Sequence, residues 1–267
     1  MTIENNLTVV DKLINVGDCR LYFSVIQGSD TMILLEVGGG ADASQWGPFP
    51  MLIAQGTGAT VVTYDRAGFG KSDLPETPYN MVEEVDWCME GLRQLGLDKG
   101  IILMGHSYGG WLIRLTASRF PQAVLGMVFI DPFSAEFVDL LGVEYIDAHP
   151  YAPKDPPMAA IPPEELTKNQ RGGLRMLKEG VGPKAAIMRK TAIPKNIPVR
   201  IITAGKSWWL TPEEDQAWRK AHEQMAASIP GAKLIVAQES DHLIPEKQPE
   251  LIVQVVKDVI DLLKVTS

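Results

Sequence analysis

Ile101-Ile102-Leu103-Met104-Gly105-His106-Ser107-Tyr108-Gly109 is an apolar run that ends in a Gly-x-Ser-x-Gly turn. Four consecutive apolar residues bounded by a turn suit a strand buried on both faces. The pattern from Trp111 to Phe120 that follows has helical spacing. A serine at a sharp strand-to-helix turn is a nucleophile elbow, because the turn lifts the hydroxyl clear of the backbone. The flanking glycines leave room where a side chain would strike the neighbouring strand or helix. The helix that starts there directs its first N–H groups at the same spot, where they can hold a developing oxyanion. Tyr108 N–H, just after the serine, is one such donor.

Working outward, strands are expected at Val9–Ile14, Arg20–Ile26, Thr31–Leu35, Thr60–Tyr64, Leu125–Ile130, Pro198–Thr203 and Lys233–Ala237. Helices are expected near Pro48, over Met81–Leu95 with Val82, Val85, Met89 and Leu92 inward, and over the final stretch with Ile252, Val255, Val256, Val259, Leu262 and Leu263 on one face. Thr211-Pro212-Glu213-Glu214 carries a capping signature: Thr at the N-cap, Pro at the first helical position, Glu three residues on. Strands alternating with helices imply a mostly parallel sheet with helices on both sides. The alternation breaks over 133–195, which is rich in proline and methionine and has helical pieces near Glu136–Leu141, Pro163–Lys178 and Pro183–Thr191. A structureless loop that long is rare in a compact domain, so a small helical lid is expected there.

The chain has 267 residues, 45% of them apolar, which suits one α/β domain over 1–267. A net charge of −8 with no Lys/Arg run argues against a nucleic-acid partner. Cys19 and Cys88 lie far apart and suggest neither a disulfide framework nor a zinc site. The polar start, Met1-Thr2-Ile3-Glu4-Asn5, does not read as a signal peptide, and no run is long enough to span a bilayer; a cytoplasmic location is the expectation.

The chain resembles the α/β-hydrolase family over nearly its whole length, on four signals in the family's order. They are the loop Val37-Gly38-Gly39-Gly40 with Trp46 downstream; Asp65-Arg66-Ala67-Gly68-Phe69-Gly70-Lys71-Ser72, similar to the family's Asp-x-x-Gly-x-Gly-x-Ser; the elbow; and Ser240-Asp241-His242 after the last strand, where the family keeps its base. The resemblance implies an eight-stranded, mostly parallel sheet with the lid inserted after strand six. It implies Ser107 as nucleophile and His242 as base. Of the other histidines, His106 sits inside the elbow, His149 in the lid, and His222 on a helix with Trp218 and Met225.

The family's commonest position for the acid, after strand seven, holds Ala204-Gly205-Lys206-Ser207-Trp208-Trp209 and no carboxylate until Glu213. Members such as the zearalenone lactone hydrolases place the acid after strand six, which here is Asp131, 24 residues past Ser107. One helix and one strand later, that residue emerges at the same sheet edge. Glu213, Glu214 and Asp215 remain alternatives, although the capping signature gives them another use. The family's His-Gly dipeptide is replaced by Val37-Gly38, and by resemblance the second oxyanion donor is Gly39 N–H, with Gly40 N–H the alternative. Gly38, Gly40, His106, Trp208 and Trp209 are candidate pocket residues. Met158, Met176, Met188, Tyr145 and Tyr151 lean the pocket towards apolar or aromatic substrates. Glu36, at a buried strand end, needs a counter-charge, and Arg66 on the neighbouring strand is expected to provide it as a structural pair.

The chemistry implied is hydrolysis of a small-molecule carboxylic ester or lactone with no cofactor and no metal. Carbon–carbon bond hydrolysis and cofactor-free perhydrolysis can use the same triad, and a ligand-sensing protein can reuse the fold. Ser rather than Asp at the elbow argues against haloalkane dehalogenases and epoxide hydrolases, which need a carboxylate nucleophile. Gly70-Lys71-Ser72 is not a P-loop, since residue 65 is Asp, and Gly38-Gly39-Gly40 lacks dinucleotide-site spacing.

Overall fold

The computed structural model describes residues 7–149, 161–162, 164–208 and 211–266. In chain order its elements are β1 Val9–Asn15, β2 Arg20–Ile26, β3 Ser29–Glu36, α1 Phe49–Thr57, β4 Ala59–Asp65, α2 Met81–Leu95, β5 Ile101–His106, α3 Gly109–Arg119 and β6 Val124–Ile130. Then come α4 Ala135–Leu141, α5 Val143–Ala148, α6 Lys168–Lys178, α7 Val181–Arg189, β7 Val199–Ala204, α8 Pro212–Ser228, β8 Lys233–Ala237, α9 Ile244–Lys247 and α10 Pro249–Thr266. The strands form one eight-stranded sheet in the order β1-β2-β4-β3-β5-β6-β7-β8. β1 and β2 pair antiparallel with each other, as do β2 and β4, and the remaining pairs are parallel.

The central strands read as unbroken apolar runs because both faces are covered. Leu34, Leu103, Phe129 and Ile201 pack on one face against Trp87, Leu92, Ile113 and Met225 of α2, α3 and α8. Their neighbours Ile33, Ile102, Val128 and Ile202 pack on the other against Phe49 and Ile53 of α1 and Ile252 and Val256 of α10. The period-two alternation of a strand sends successive side chains to opposite faces.

Register assembles the site. Glu36 lies opposite Gly105, His106 opposite Ile130, Ile130 opposite Ile202, and Ala204 opposite Ala237. The loops leaving β3, β5, β6, β7 and β8 therefore emerge side by side at one edge, where parallel α/β sheets bind ligands.

Some expectations need correction. The helix expected from Pro163 starts at Lys168, because Thr167 and Gln170 form a reciprocal capping box there. Pro163 itself lies outside the described residues, as do Tyr151, Met158 and Trp209. The short helix α5 and a 3₁₀ turn over Ala43–Trp46 were not expected. Leu262 is 42% exposed, since it stands at the margin of the apolar arc of α10. Thr211 caps α8 as expected, with Pro212 first and Glu214 closing the box. Cys19 and Cys88 are free and buried. Among the described residues no helix is long and apolar enough to cross a membrane.

Candidate active site

Ser107 sits at φ 52°, in the left-handed region that a non-glycine residue adopts only under constraint. The constraint is close packing on both sides. A Cβ on Gly105 would stand 2.5 Å from the Gly109 carbonyl oxygen, and one on Gly109 would stand 2.2 Å from the Glu36 carbonyl oxygen. The turn is tied down by Ser107 N–H donating to Ile130 O (3.1 Å), while Ser107 O accepts from Gly110 and Phe133 N–H (2.9 and 3.0 Å). Ser107 remains half-buried while its neighbours are buried.

Asp131, the first residue after β6, is fully buried and also has positive φ, at 43°. Its Oδ2 lies 2.7 Å from His242 Nδ1. Its Oδ1 accepts from Ala204 N–H (2.9 Å) and lies 3.5 Å from the Thr203 hydroxyl. Burial pushes the carboxyl up, but the His242 contact and the nearby imidazoles outweigh it and hold Asp131 below the usual carboxylate range. A carboxylate can only accept, so Nδ1 carries the proton and Nε2 is left as the basic nitrogen. No hydrogen bond joins Ser107 Oγ to the His242 ring among the described residues; such contacts are often long in unliganded sites and tighten when substrate is bound.

The His242 ring is enclosed by aromatic groups. Trp208 stacks on it with centroids 3.9 Å apart and planes 13° apart, and the His106 ring is 4.4 Å away. His106 is buried, and its Nε2–H donates to the His242 carbonyl (2.9 Å), which fastens the histidine loop to β5. Burial, and then the neighbouring His242, push His106 down to about 3, so it is neutral near pH 7. His149 is exposed and stacks on Tyr145.

The alternative acids are engaged elsewhere. Glu214 Oε2 accepts from Thr211 N–H, and its Oε1 accepts from the Tyr145 hydroxyl (3.0 Å). Asp215 pairs with Arg219, and Glu213 is exposed. His222, expected on a helix beside Trp218 and Met225, is fully buried behind Asp131, and its contact with that residue was not expected. Its Nε2–H donates to Pro132 O, its Nδ1 meets the Thr203 hydroxyl at 2.8 Å, and it lies 3.8 Å from Asp131 Oδ1. Nothing in the spacing of 131, 203 and 222 signals that contact, because it is made across three separate elements.

Beside the elbow, a Cβ on Gly38 would stand 3.5 Å from Ser107 Cβ, and one on Gly39 would stand 3.4 Å from Tyr108 Cβ. The N–H groups of Gly39 and Tyr108 have no hydrogen-bond partner among the described residues. Glu36 and Arg66 are both buried and 3.8 Å apart, and the Tyr64 hydroxyl donates to Glu36 Oε1 (2.5 Å). Burial pushes Glu36 up to about 7, against the pull of Arg66 and Tyr64. Among the described residues no group of three or more His, Cys, Asp or Glu side chains gathers to hold a metal. A groove of about 460 Å³ between β2, β4 and α1, lined by Tyr22, Thr63 and Met51, contains none of Ser107, Asp131 or His242.

An eight-stranded sheet with an elbow serine, a late histidine and a glycine loop at one edge defines an α/β-hydrolase fold. Residues 33–255 match the model of the alpha/beta hydrolase family, and the chain belongs to that family. It is similar to an uncharacterized protein, YqjL, of Bacillus subtilis (22% identical over 256 residues, 94% of this chain and 92% of that protein). Among solved structures it is similar to a thermophilic esterase of Thermogutta terrifontis (TM-score 0.61, 21% identity, 96% of this chain and 99% of that one). It is also similar to a putative epoxide hydrolase of Pseudomonas aeruginosa (TM-score 0.69, 17% identity, 99% and 98%). At these identities the structural likenesses show the fold alone.

Proposed function

We propose that the chain is a serine hydrolase that cleaves a carboxylic ester or lactone through an acyl-enzyme on Ser107, with His242 as base and Asp131 as acid. The observation that carries this reading is the 2.7 Å contact between Asp131 Oδ2 and His242 Nδ1, made beside the elbow. Ser107 Oγ adds to the carbonyl carbon as its proton passes to His242 Nε2. Asp131 stabilises the imidazolium without taking its proton. The carbonyl oxygen, now an anion, is held by Gly39 and Tyr108 N–H. Collapse of the adduct breaks the bond to the alkoxy oxygen, which takes the proton from His242 and departs as the alcohol. Water then gives a proton to His242 and its oxygen to the acyl carbon, and Ser107 is regenerated with release of the acid. A serine nucleophile supports this chemistry over the carboxylate-dependent opening of an epoxide.

The segment 133–195 serves as a lid in this reading. α6 lies over the glycine loop, with Met176 Cε 3.4 Å from where a Gly39 Cβ would stand. Asn169 donates to Asp42 and accepts from Gly70 N–H, and Arg175 reaches Glu84 and the carbonyls of Thr77 and Pro78. Met176, Tyr108, Phe133 and Trp208 near the site favour an apolar or aromatic acyl group.

A fluorophosphonate probe and a short-chain nitrophenyl ester test the proposal together. The expected result is one label, on Ser107, and ester turnover that Ser107→Ala abolishes. A protein that neither labels nor turns over the ester is a binding protein on this fold, and the reading is then wrong.

A further inference from the structure

The Glu36–Arg66 pair reads from sequence as structural, but the structure shows the guanidinium gripping the loop that faces the elbow. Arg66 Nη1 donates to Val37 O at 2.6 Å, Nη2 donates to Gly38 O at 2.5 Å, and Nη2 reaches Ala41 O at 3.4 Å. Its Cζ also stands 5.9 Å from the centroid of the Tyr108 ring. One fully buried cation thus touches both segments that carry the unpartnered N–H groups.

Peptide geometry gives that grip a direction. The Gly38 C=O and the Gly39 N–H belong to one planar trans peptide, so they point in opposite senses. A donor that fixes Gly38 O on the Arg66 side turns the Gly39 N–H away from Arg66. The elbow packs against these same two residues, since a Gly38 Cβ would stand 3.5 Å from Ser107 Cβ and a Gly39 Cβ 3.4 Å from Tyr108 Cβ. A glycine-rich segment has little conformational preference of its own, so without such a clamp this peptide plane is free to rotate. Arg suits the task because its planar fork holds two carbonyls at fixed spacing, which a single ammonium cannot do. The carboxylate of Glu36 at 3.8 Å and the hydroxyl of Tyr64 behind it brace the guanidinium from below.

We infer that Arg66 is a positioning residue for oxyanion stabilisation, aiming the Gly39 N–H at the substrate oxygen by holding the Gly38 carbonyl. This rests on the acyl-enzyme reading above and adds to it the residue that sets the geometry of its anion site. The inference concerns the transition state, since the amide matters most when the carbonyl oxygen becomes an anion.

The test compares Arg66→Lys with wild type on a nitrophenyl ester and on a trifluoromethyl ketone, a probe that Ser107 converts to an anionic hemiketal. Rates are taken per active site, titrated to completion with fluorophosphonate, so that loss of folded protein drops out. The expected result is a fall in kcat of about 10- to 100-fold, KM within about threefold, and an inhibition constant for the ketone that rises by the same factor as kcat/KM falls. Unchanged kcat per titrated site, or a changed kcat with unchanged affinity for the ketone, overturns the inference. If Arg66→Lys does not fold, the double variant E36Q/R66M leaves no unpaired buried charge and reads the same two quantities against the same outcomes. Failure of the acyl-enzyme reading itself shows differently, as a wild-type protein that neither labels at Ser107 nor binds the ketone.

Discussion

At the scale of the residue, three non-glycine positions among the described residues hold a positive φ, and two of them, Ser107 and Asp131, bear proposed catalytic side chains. Strain of this kind persists only where surroundings impose it. Asp131 emerges from β6 next to the elbow because His106 and Ile130 are paired across the sheet. Asp131→Asn is expected to lower kcat by about 10³- to 10⁴-fold with the fold intact, because an amide can no longer fix the imidazole tautomer. Glu213→Gln and Glu214→Gln are expected to leave kcat within about threefold. Steady-state kinetics on one ester with circular dichroism of each variant checks all three. The position of Asp131 was legible in the sequence because one helix plus one strand separates it from Ser107. The grip of Arg66 on two carbonyls and the contact of His222 with Thr203 were not, since each depends on how side chains cross between distant elements.

At the scale of the element, capping and anchoring contacts decide where helices begin and how they sit. Thr211 satisfies the Glu214 N–H while Glu214 returns the bond to Thr211 N–H. Thr211→Ala is expected to cost about 1 kcal/mol, measured by urea unfolding, with no change in kcat. The start of α8 was readable because Thr, Pro and Glu stand at fixed offsets. The start of α6 was misread by five residues because proline at 163 resembles a first-turn residue, whereas the Thr167–Gln170 box sets the boundary. α6 is held down by the Arg175–Glu84 pair at 3.0 Å, in which Glu84 is almost wholly buried. If α6 covers the acyl group, Arg175→Ala raises KM for long-chain nitrophenyl esters about tenfold and leaves kcat/KM for the acetate within about threefold. An equal effect on every chain length would mean that α6 has no part in binding the acyl group.

At the scale of the whole molecule, buried ionisable groups make stability depend on pH in two opposite ways. Asp131 is held below its ordinary value, so its contribution is present above about pH 4 and is lost as pH falls towards its folded-state value. Glu36 is pushed from 4.5 up to about 7, so the folded state holds its proton more tightly than the unfolded chain does. Its contribution is full below pH 4.5 and is lost as pH rises through 7. The difference in unfolding free energy between wild type and Glu36→Gln should therefore move against the wild type from pH 4.5 to pH 7.5. Urea titrations at several pH values measure it, and a difference that is flat over that range would place the Glu36 carboxyl in the ordinary range. The eight-stranded sheet itself was legible because each central strand is an apolar run between turn residues. The insert between β6 and β7 has no such period; among its described helices, α6 is held by contacts with the loops after β3 and β4, and α4 packs on α8.

The proposed chemistry converges on a covalent ester at one hydroxyl, which acid-quenched mass spectrometry measures directly. Asp131→Asn is mixed with excess nitrophenyl ester, quenched after several half-times of its slowed first turnover, and digested to locate any added mass. The expected result is one acyl group per chain, on the peptide that contains Ser107, and none in Ser107→Ala. Ester turnover by the wild type that persists in Ser107→Ala, or an acyl group found on another residue, would contradict the proposed nucleophile.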